Sequence, residues 1–408
     1  MNLNPVILAI PMYFTLMAVE LIYESYHRRK SYRLNDAVTN ISTGILQQLS
    51  GTFLTLLKIG LYVLLFEQVA LFQLPQNGWT FALAMILWDL CYYWEHRMAH
   101  TVSLFWGGHV VHHQSEEYNL SVALRQTSTG FIWGLPFYLP MALIGISPEH
   151  FVLAGGFNLL YQFWIHTEHI KKMPRWFEAV FNTPSHHRVH HGRDPKYIDK
   201  NYAGMFIVWD RLFGTFKEEE ERPNYGITTP LKSWNPVYAN FAHYIDLFQW
   251  TRKARSAGDV LKILFNKPGW FPEYMGGYQA PESPKRGYQK YNELVNSGIN
   301  YYIFAQFLLA LLFNALYFFK QGSFDLSVKV TFALWIIFST LMFGFLFEHK
   351  SPHLTWLEGL RLLGMPLLVY LLISSGFPLP GWTLVVASLI AVISLLAFLR
   401  FRAVKVAL

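Results

Sequence analysis

The sequence predicts an all-α, polytopic membrane protein with a histidine-rich cap, and three observations predict it. Of the 408 residues, 53% are hydrophobic and only 14% charged, whereas about a quarter of an ordinary soluble domain is charged. Apolar stretches recur at the length a membrane-crossing helix needs, about 20 residues. Twelve of the sixteen histidines fall between His96 and His191, nearly all in tight groups.

The elements follow in chain order. Residues 5–23 have no basic segment ahead of them and no small-residue cleavage site behind, so they read as a retained anchor and not a removed leader. The loop "ESYHRRKSYRLND" is basic; residues 41–72 then suit one tilted span or a broken hairpin. "LPQNGW" carries no Lys or Arg, and the stretch 80–94 leads into "EHRMAH". Residues 129–146 and 151–165, joined by "SPEH", fit a hairpin that returns to the side it left. A long polar region rich in Lys and Arg runs from residue 166 to about 297. Four further apolar runs, 300–319, 328–347, 362–375 and 382–399, precede the closing "RFRAVK".

This makes nine spans. Placing the loop at 25–40 in the cytoplasm puts residues 96–128, 166–297, 349–361 and the C-terminus there too, as the positive-inside bias requires. Lys320 and Lys329, flanking one short turn on the other side, are the exceptions. The formal charge of +7 therefore reflects topology and not a nucleic-acid partner. The lone Cys91 excludes an intramolecular disulfide framework and a multi-cysteine metal cluster. Four regions result: N-terminal spans (1–78), a region holding the histidine groups (79–220), a polar cytoplasmic region (221–297) and a C-terminal bundle of spans (298–408). Small residues in "FNALYFF" and "LVVASLIAVISLLAF" suit helix packing within or between chains, which leaves the oligomeric state open.

The histidines form three boxes: "HRMAH" (His96, His100), "HVVHH" (His109, His112, His113) and "HRVHH" (His187, His190, His191). Residues three and four apart share a helix face, so each box can aim its imidazoles at one point. Neutral imidazole suits iron, copper, zinc and nickel. Eight such ligands are too many for one ion and right for two. Two zinc ions fit the ligand number; redox iron is favoured because hydrocarbon is what is available at the edge of a lipid phase, and C–H activation needs an oxidant. The scattered His27, His150, His243, His349 and His353 read as polar punctuation.

A metal-bound imidazole usually donates its other N–H to a carboxylate or carbonyl. Asp89 shares a helix face with Tyr93, His96 and His100, so it is the leading candidate for that role. Glu95, Glu168, Asp194 and Asp210 are weaker ones, and His186 could hydrogen-bond a ligand. "NTP" reads as a helix entry, with Asn182 or Thr183 capping and Pro184 in the first turn. Arg188 and Arg193 read as solvated or headgroup-facing.

The three boxes, in this order, resemble the fatty acid hydroxylase and sterol desaturase superfamily of membrane di-iron oxygenases. "CYYWEHRMAH", "GGHVVHHQSEEYNLSVALRQ", "NLLYQFWIHTE" and "NTPSHHRVHHGRDPKYIDKNYAGMFIVWDRLFGTF" are similar to its ether-cleaving branch. The resemblance implies a di-iron cap on the cytoplasmic face, with His96, His100, His109, His112, His113, His187, His190 and His191 as ligands. It adds His166 as a ligand or a donor to one. It implies a membrane lipid and O2 as substrates: hydroxylation of the alkyl carbon next to the ether oxygen of a glyceryl ether, giving fatty aldehyde and glycerol. Sterol desaturation or fatty acyl hydroxylation on the same two irons is the alternative chemistry, and metal-dependent lipid binding or transport the alternative class. Two electrons come from an external donor, tetrahydrobiopterin in the animal members. Those members carry Glu after the second histidine of the first box, where this chain has Thr101.

Overall fold

The computed structural model describes residues 5–403 other than 283, 285, 286, 294, 350 and 351. The regular structure of the described residues is helical, with two isolated bridges, Phe181 with Phe206 and Gly192 with Tyr225, and no strand among them. Lys405, the last basic residue of the closing motif, lies outside them. The chain divides into two compact units.

The first unit comprises residues 1–33, 47–231 and 240–290. At its centre the helix Gly78–Thr101 packs on Gly130–Ile144 and Pro148–Trp164. Asn77 starts the first of these by accepting from the amides of Trp79 and Thr80, as an N-cap side chain does for otherwise orphaned donors. Ser147, with Pro148 behind it, does the same for the third. Tyr62, Ala84, Trp88, Tyr138, Met141, Ala142, Ile146 and Ala154 form the apolar core between them. Gly155 sets the closeness of the packing: a Cβ there would lie 2.9 Å from the Trp88 indole nitrogen.

The second unit comprises residues 34–46, 232–239 and 291–408. Its main body is four helices, Ser297–Lys320, Leu326–Glu348, Leu354–Ser374 and Trp382–Ala403, joined by short turns. The third packs on the second and the fourth. Inside them lies a fully buried ion pair, Arg361 with Glu358 at 2.5 Å. Tyr302 donates to the same carboxylate, and Arg361 also reaches Gln306 at 2.7 Å. A charge at such depth is tolerated only when paired.

Among the described residues, five helices are long and apolar enough to cross a membrane: Leu8–His27, Ser297–Ser323, Leu326–Glu348, Leu354–Ser374 and Trp382–Ala403. The pair Leu34–Leu54 and Ile59–Val69, bent by 45°, is a sixth if taken as one span. The remaining three of the nine expected spans fall short, each for a physical reason. Gly130–Ile144 has 15 residues and Pro148–Trp164 has 17, below the roughly 20 a straight crossing needs. Gly78–Thr101 is long enough at 24 residues, but it carries Asp89, Glu95, His96, Arg97 and His100.

Candidate metal centre

Each histidine box sits at a helix end or on a single turn. His96 and His100 occupy the last two turns of Gly78–Thr101. His112 and His113 close the one-turn helix Val110–His113, with His109 at its N-cap position. His166 lies just beyond the end of Pro148–Trp164. His187 and His190 lie on Pro184–His190, and His191 is its C-cap. That last helix begins at Thr183 with Pro184 in the first turn, as expected. The expected capping is absent, because the Thr183 and Ser185 hydroxyls donate to Glu178, at 3.1 and 3.0 Å, and the Asn182 amide donates to the carbonyls of Ala203 and Gly204.

The fold gathers these nine residues into two groups. His96, His100, His109, His113 and His190 form one; His112, His166, His187 and His191 form the other. Within each group, one ring nitrogen per residue lies within 4.8 Å of all the others. The groups adjoin, with the rings of His113 and His191 stacked at 4.5 Å. Neighbouring Nε2 atoms lie 2.9 Å apart for His96 and His109, 3.0 Å for His109 and His113, and 3.0 Å for His166 and His187. His112 to His166 and His187 to His191 are each 3.2 Å.

The outer nitrogens explain what these short distances require. His112 Nδ1 donates to the Arg125 carbonyl at 2.9 Å, and His166 Nδ1 to the Gln162 carbonyl at 2.7 Å. A neutral imidazole has one proton, so both inward-facing Nε2 atoms are bare lone pairs 3.2 Å apart. Two lone pairs at that distance repel unless a cation lies between them. His96 and His190 are held the same way, by the carbonyls of Tyr202 at 2.7 Å and Lys200 at 3.0 Å. The Nε2 atoms of His100 and His190 are buried and without a hydrogen bond among the described residues.

Protonation would relieve the repulsion, but burial opposes it. It pushes His112 down to about 4 and His190 down to about 3, and it holds His109, His113, His166, His187 and His191 well below the ordinary imidazole range. Neighbouring imidazoles add to the effect at His187 and His191. The donor set thus consists of neutral nitrogens, on residues that are buried except for the partly buried His100 and His109, aimed at two points. At a metal–nitrogen bond of about 2.1 Å, two ligands of one ion lie about 3–3.5 Å apart, so this spacing would suit a divalent transition metal such as iron.

Asp89, the leading candidate to accept an imidazole N–H, does not do so among the described residues, because the Nδ1 atoms of His96, His112, His166 and His190 donate to backbone carbonyls instead. Asp89, fully buried, accepts from Asn158, from the amides of Met205 and Phe206, and from the Trp209 indole at 2.5–2.9 Å. Asp210 accepts from the amides of Tyr202 and Ala203, both at 2.8 Å, and from Thr215. Together they grip the segment 202–206, whose Tyr202 carbonyl holds His96. Gly204 lets the grip close: a Cβ there would lie 2.6 Å from Asn158 Oδ1 and 2.7 Å from Asp89 Oδ1. Glu95 accepts from Tyr138, Glu168 from Arg222 and Tyr225, and Asp194 from Asn224. His186 lies outside both groups, edge-on to Phe216.

Two arginines do work that the sequence did not reveal. Arg125, 2% exposed, donates to the Val111 carbonyl and to Gln114, bracing the turn whose His112 leans on its own carbonyl. Arg188, expected in solvent, is 1% exposed. It forms a two-pronged pair with Glu219 at 2.6 and 2.7 Å and donates to the carbonyls of Thr167, Ile170 and Lys171. Arg193 is also buried, with its guanidinium 4.3 Å from the Tyr288 ring centre. An arginine beside a histidine box looks alike in sequence whether it faces water or clamps the next loop.

Comparison with known proteins bears on the chemistry. Residues 81–215 match the family model described as fatty acid hydroxylase. The chain is 38% identical over 368 residues to the alkylglycerol monooxygenase of Homo sapiens, covering 89% of this chain and 81% of that protein. It is 33% identical over 357 residues to that of Caenorhabditis elegans, covering 81% and 69%. A shorter stretch of 197 residues, 46% of this chain and 62% of the other, is 29% identical to the lathosterol oxidase of Rattus norvegicus. No solved structure matches.

Proposed function

Because the chain belongs to the alkylglycerol monooxygenase family, and is a membrane-bound lipid monooxygenase, we propose that it holds two irons and cleaves glyceryl ethers with O2. His96, His100, His109, His113 and His190 would hold one iron, and His112, His166, His187 and His191 the other. The observation that carries this reading is the convergence of bare, neutral Nε2 atoms on two adjoining points. Bound iron supplies the one chemistry the side chains lack, activation of O2 for attack on a C–H bond.

The protein's own part is to hold that donor set. The carbonyls of Tyr202, Arg125, Gln162 and Lys200 fix the tautomer by taking the Nδ1 protons, which leaves each Nε2 free to bind. Burial keeps the rings uncharged, so protons compete poorly with a metal. Among alkyl positions of a glyceryl ether, the carbon next to oxygen gives up hydrogen most readily, because the oxygen lone pair stabilises the radical. Hydroxylation there yields a hemiacetal that collapses to fatty aldehyde and glycerol. One O2, two electrons and two protons are consumed, and one water is released.

The external reductant is proposed to be a tetrahydropterin, and the site to face the cytoplasm with the basic loops. Thr101, where the animal enzymes carry Glu, donates to the carbonyl of Arg97 at 2.9 Å. The test is elemental analysis of purified protein beside His190→Ala, followed by O2-dependent release of aldehyde from a glyceryl ether. About two irons per chain, lowered in the variant, with aldehyde formed, is the expected result. Iron with a new double bond in a sterol would favour the lathosterol oxidase likeness. Stoichiometric zinc without iron, from iron-replete cells, overturns the oxygenase reading.

A further inference from the structure

The five-histidine group has an aromatic neighbour that leads away from it. The Tyr202 ring lies 5.4 Å from that of His100, 5.9 Å from His96 and 6.1 Å from His190. Tyr93 follows at 6.1 Å from Tyr202, and Trp94 at 5.5 Å from Tyr93. Phe213 packs beside the last pair, 5.2 Å from Tyr93 and 5.0 Å from Trp94. Tyr202 and Tyr93 are buried, whereas Trp94 is 38% exposed. Tyrosine and tryptophan are the aromatic side chains most easily oxidised, and here three of them step from the metal centre to the surface.

The tyrosines also have what oxidation demands, a carboxylate to take the phenol proton. The Asp199 carboxyl neighbours the Tyr202 phenol. The Thr215 hydroxyl donates to Asp210 at 2.6 Å, so its contact with Tyr93 at 2.9 Å must be one in which the phenol donates. Arg97 donates to the same phenol oxygen at 3.0 Å, consistent with that direction. Core packing alone would need the rings but not two separate proton acceptors.

We propose that Tyr202, Tyr93 and Trp94 form a relay that carries oxidising equivalents from the metal centre to a soluble thiol when O2 is activated without lipid in place. The proposal rests on the oxygenase reading, with O2 as the oxidant. Tyr202 gives an electron to the oxidised centre as its proton moves to Asp199. Tyr93 re-reduces Tyr202, which recovers that proton, while the Tyr93 proton crosses Thr215 to Asp210. Trp94 then reduces Tyr93, the proton returns by the same path, and the Trp94 indole loses its own proton to solvent. A thiol restores Trp94 with one hydrogen atom, and two thiyl radicals close to one disulfide.

The test uses full-length, iron-loaded, reduced protein in detergent, mixed with O2 without lipid or thiol. O2 uptake, freeze-quenched electron spin resonance and peptide mass spectrometry are read on one sample. In the native chain, oxygen-adduct formation should concentrate on Trp94 and fall severalfold when thiol is added. Trp94→Phe should abolish that adduct and leave a tyrosyl signal. Tyr93→Phe should abolish the Trp94 adduct while Trp94 is still present, which a merely interfacial tryptophan would not do. Iron content and melting temperature equal to the native protein's show that the variants are folded. O2 uptake with Trp94 oxidised equally in Tyr93→Phe, or with none of the three residues oxidised, overturns the relay and leaves the oxygenase reading standing. No O2 uptake without lipid overturns the relay alone if uptake appears when a glyceryl ether is added, and overturns both if it does not.

Discussion

His186 and His187 adjoin in sequence and differ in everything a metal would sense. The His187 Nε2 lies 3.0 Å from that of His166, while His186 lies edge-on to Phe216 and outside both groups. His187→Ala should therefore lower the iron-to-protein ratio, and His186→Ala should leave it at the native value, as elemental analysis of the pair would show. A matching loss in both would mean that the segment, not the ligand, was disturbed. Asp89 makes a different prediction. Asp89→Asn turns one of its acceptor oxygens into a donor facing donors, so the protein should lose roughly 2–3 kcal/mol of stability and release iron more readily from His96's group. At this scale the converging histidines were legible, because i, i+3 and i+4 spacing reports directly on a shared face. Their holders were not. Four imidazoles lean on backbone carbonyls, and a carbonyl is the same in every residue, so nothing in the letters Tyr202, Arg125, Gln162 or Lys200 marks it.

The same limit governs the elements. Residues 80–94 looked like a span because their apolar run is long; as a helix they continue to Thr101 and use one polar face for Asp89, His96 and His100. Hydropathy averages over faces, so a helix that is apolar outside and liganding inside reads as membrane by one measure and fails by another. The loop 202–206 was invisible for the opposite reason, being short, irregular and held by side chains remote in sequence. Its tightness is testable at Gly204. Gly204→Ala would press a Cβ against Asp89 and Asn158, at the roughly 1–3 kcal/mol typical of overpacking, and should lower both the melting temperature and iron retention. Arg188→Lys probes the neighbouring clamp. A lysine cannot make the paired contact with Glu219 and reach the carbonyls of Thr167, Ile170 and Lys171 together. Thermal unfolding should begin at lower temperature although the charge is kept, and an unchanged melting curve would show that charge alone suffices.

At the scale of the whole molecule, the four C-terminal helices carry no histidine box, yet they bury Arg361 and Glu358 completely. Removing one partner leaves a charge without compensation in a low-dielectric interior, a loss of about 3–5 kcal/mol. Glu358→Leu alone should thus reduce the yield of monodisperse protein sharply, while Glu358→Leu with Arg361→Met should recover much of it. Orientation is the larger question, because it decides which solution reaches the metal site. The basic loops argue for one side: Arg28, Arg29, Lys30 and Arg33 after the first helix, and Arg400 and Arg402 at the end of the last described one. Lys or Arg flanking a span resists translocation, so our proposal keeps those segments in the cytoplasm, on the side of a soluble reductant. The single Cys91 makes the prediction simple to check. In a Cys91→Ser background, Arg28→Cys and Arg402→Cys should resist a membrane-impermeant maleimide in sealed cells and react once the membrane is opened, whereas Gln76→Cys, in the loop without Lys or Arg, should react in both. Labelling of the first two in sealed cells would reverse the topology and place the histidines and their electron supply outside.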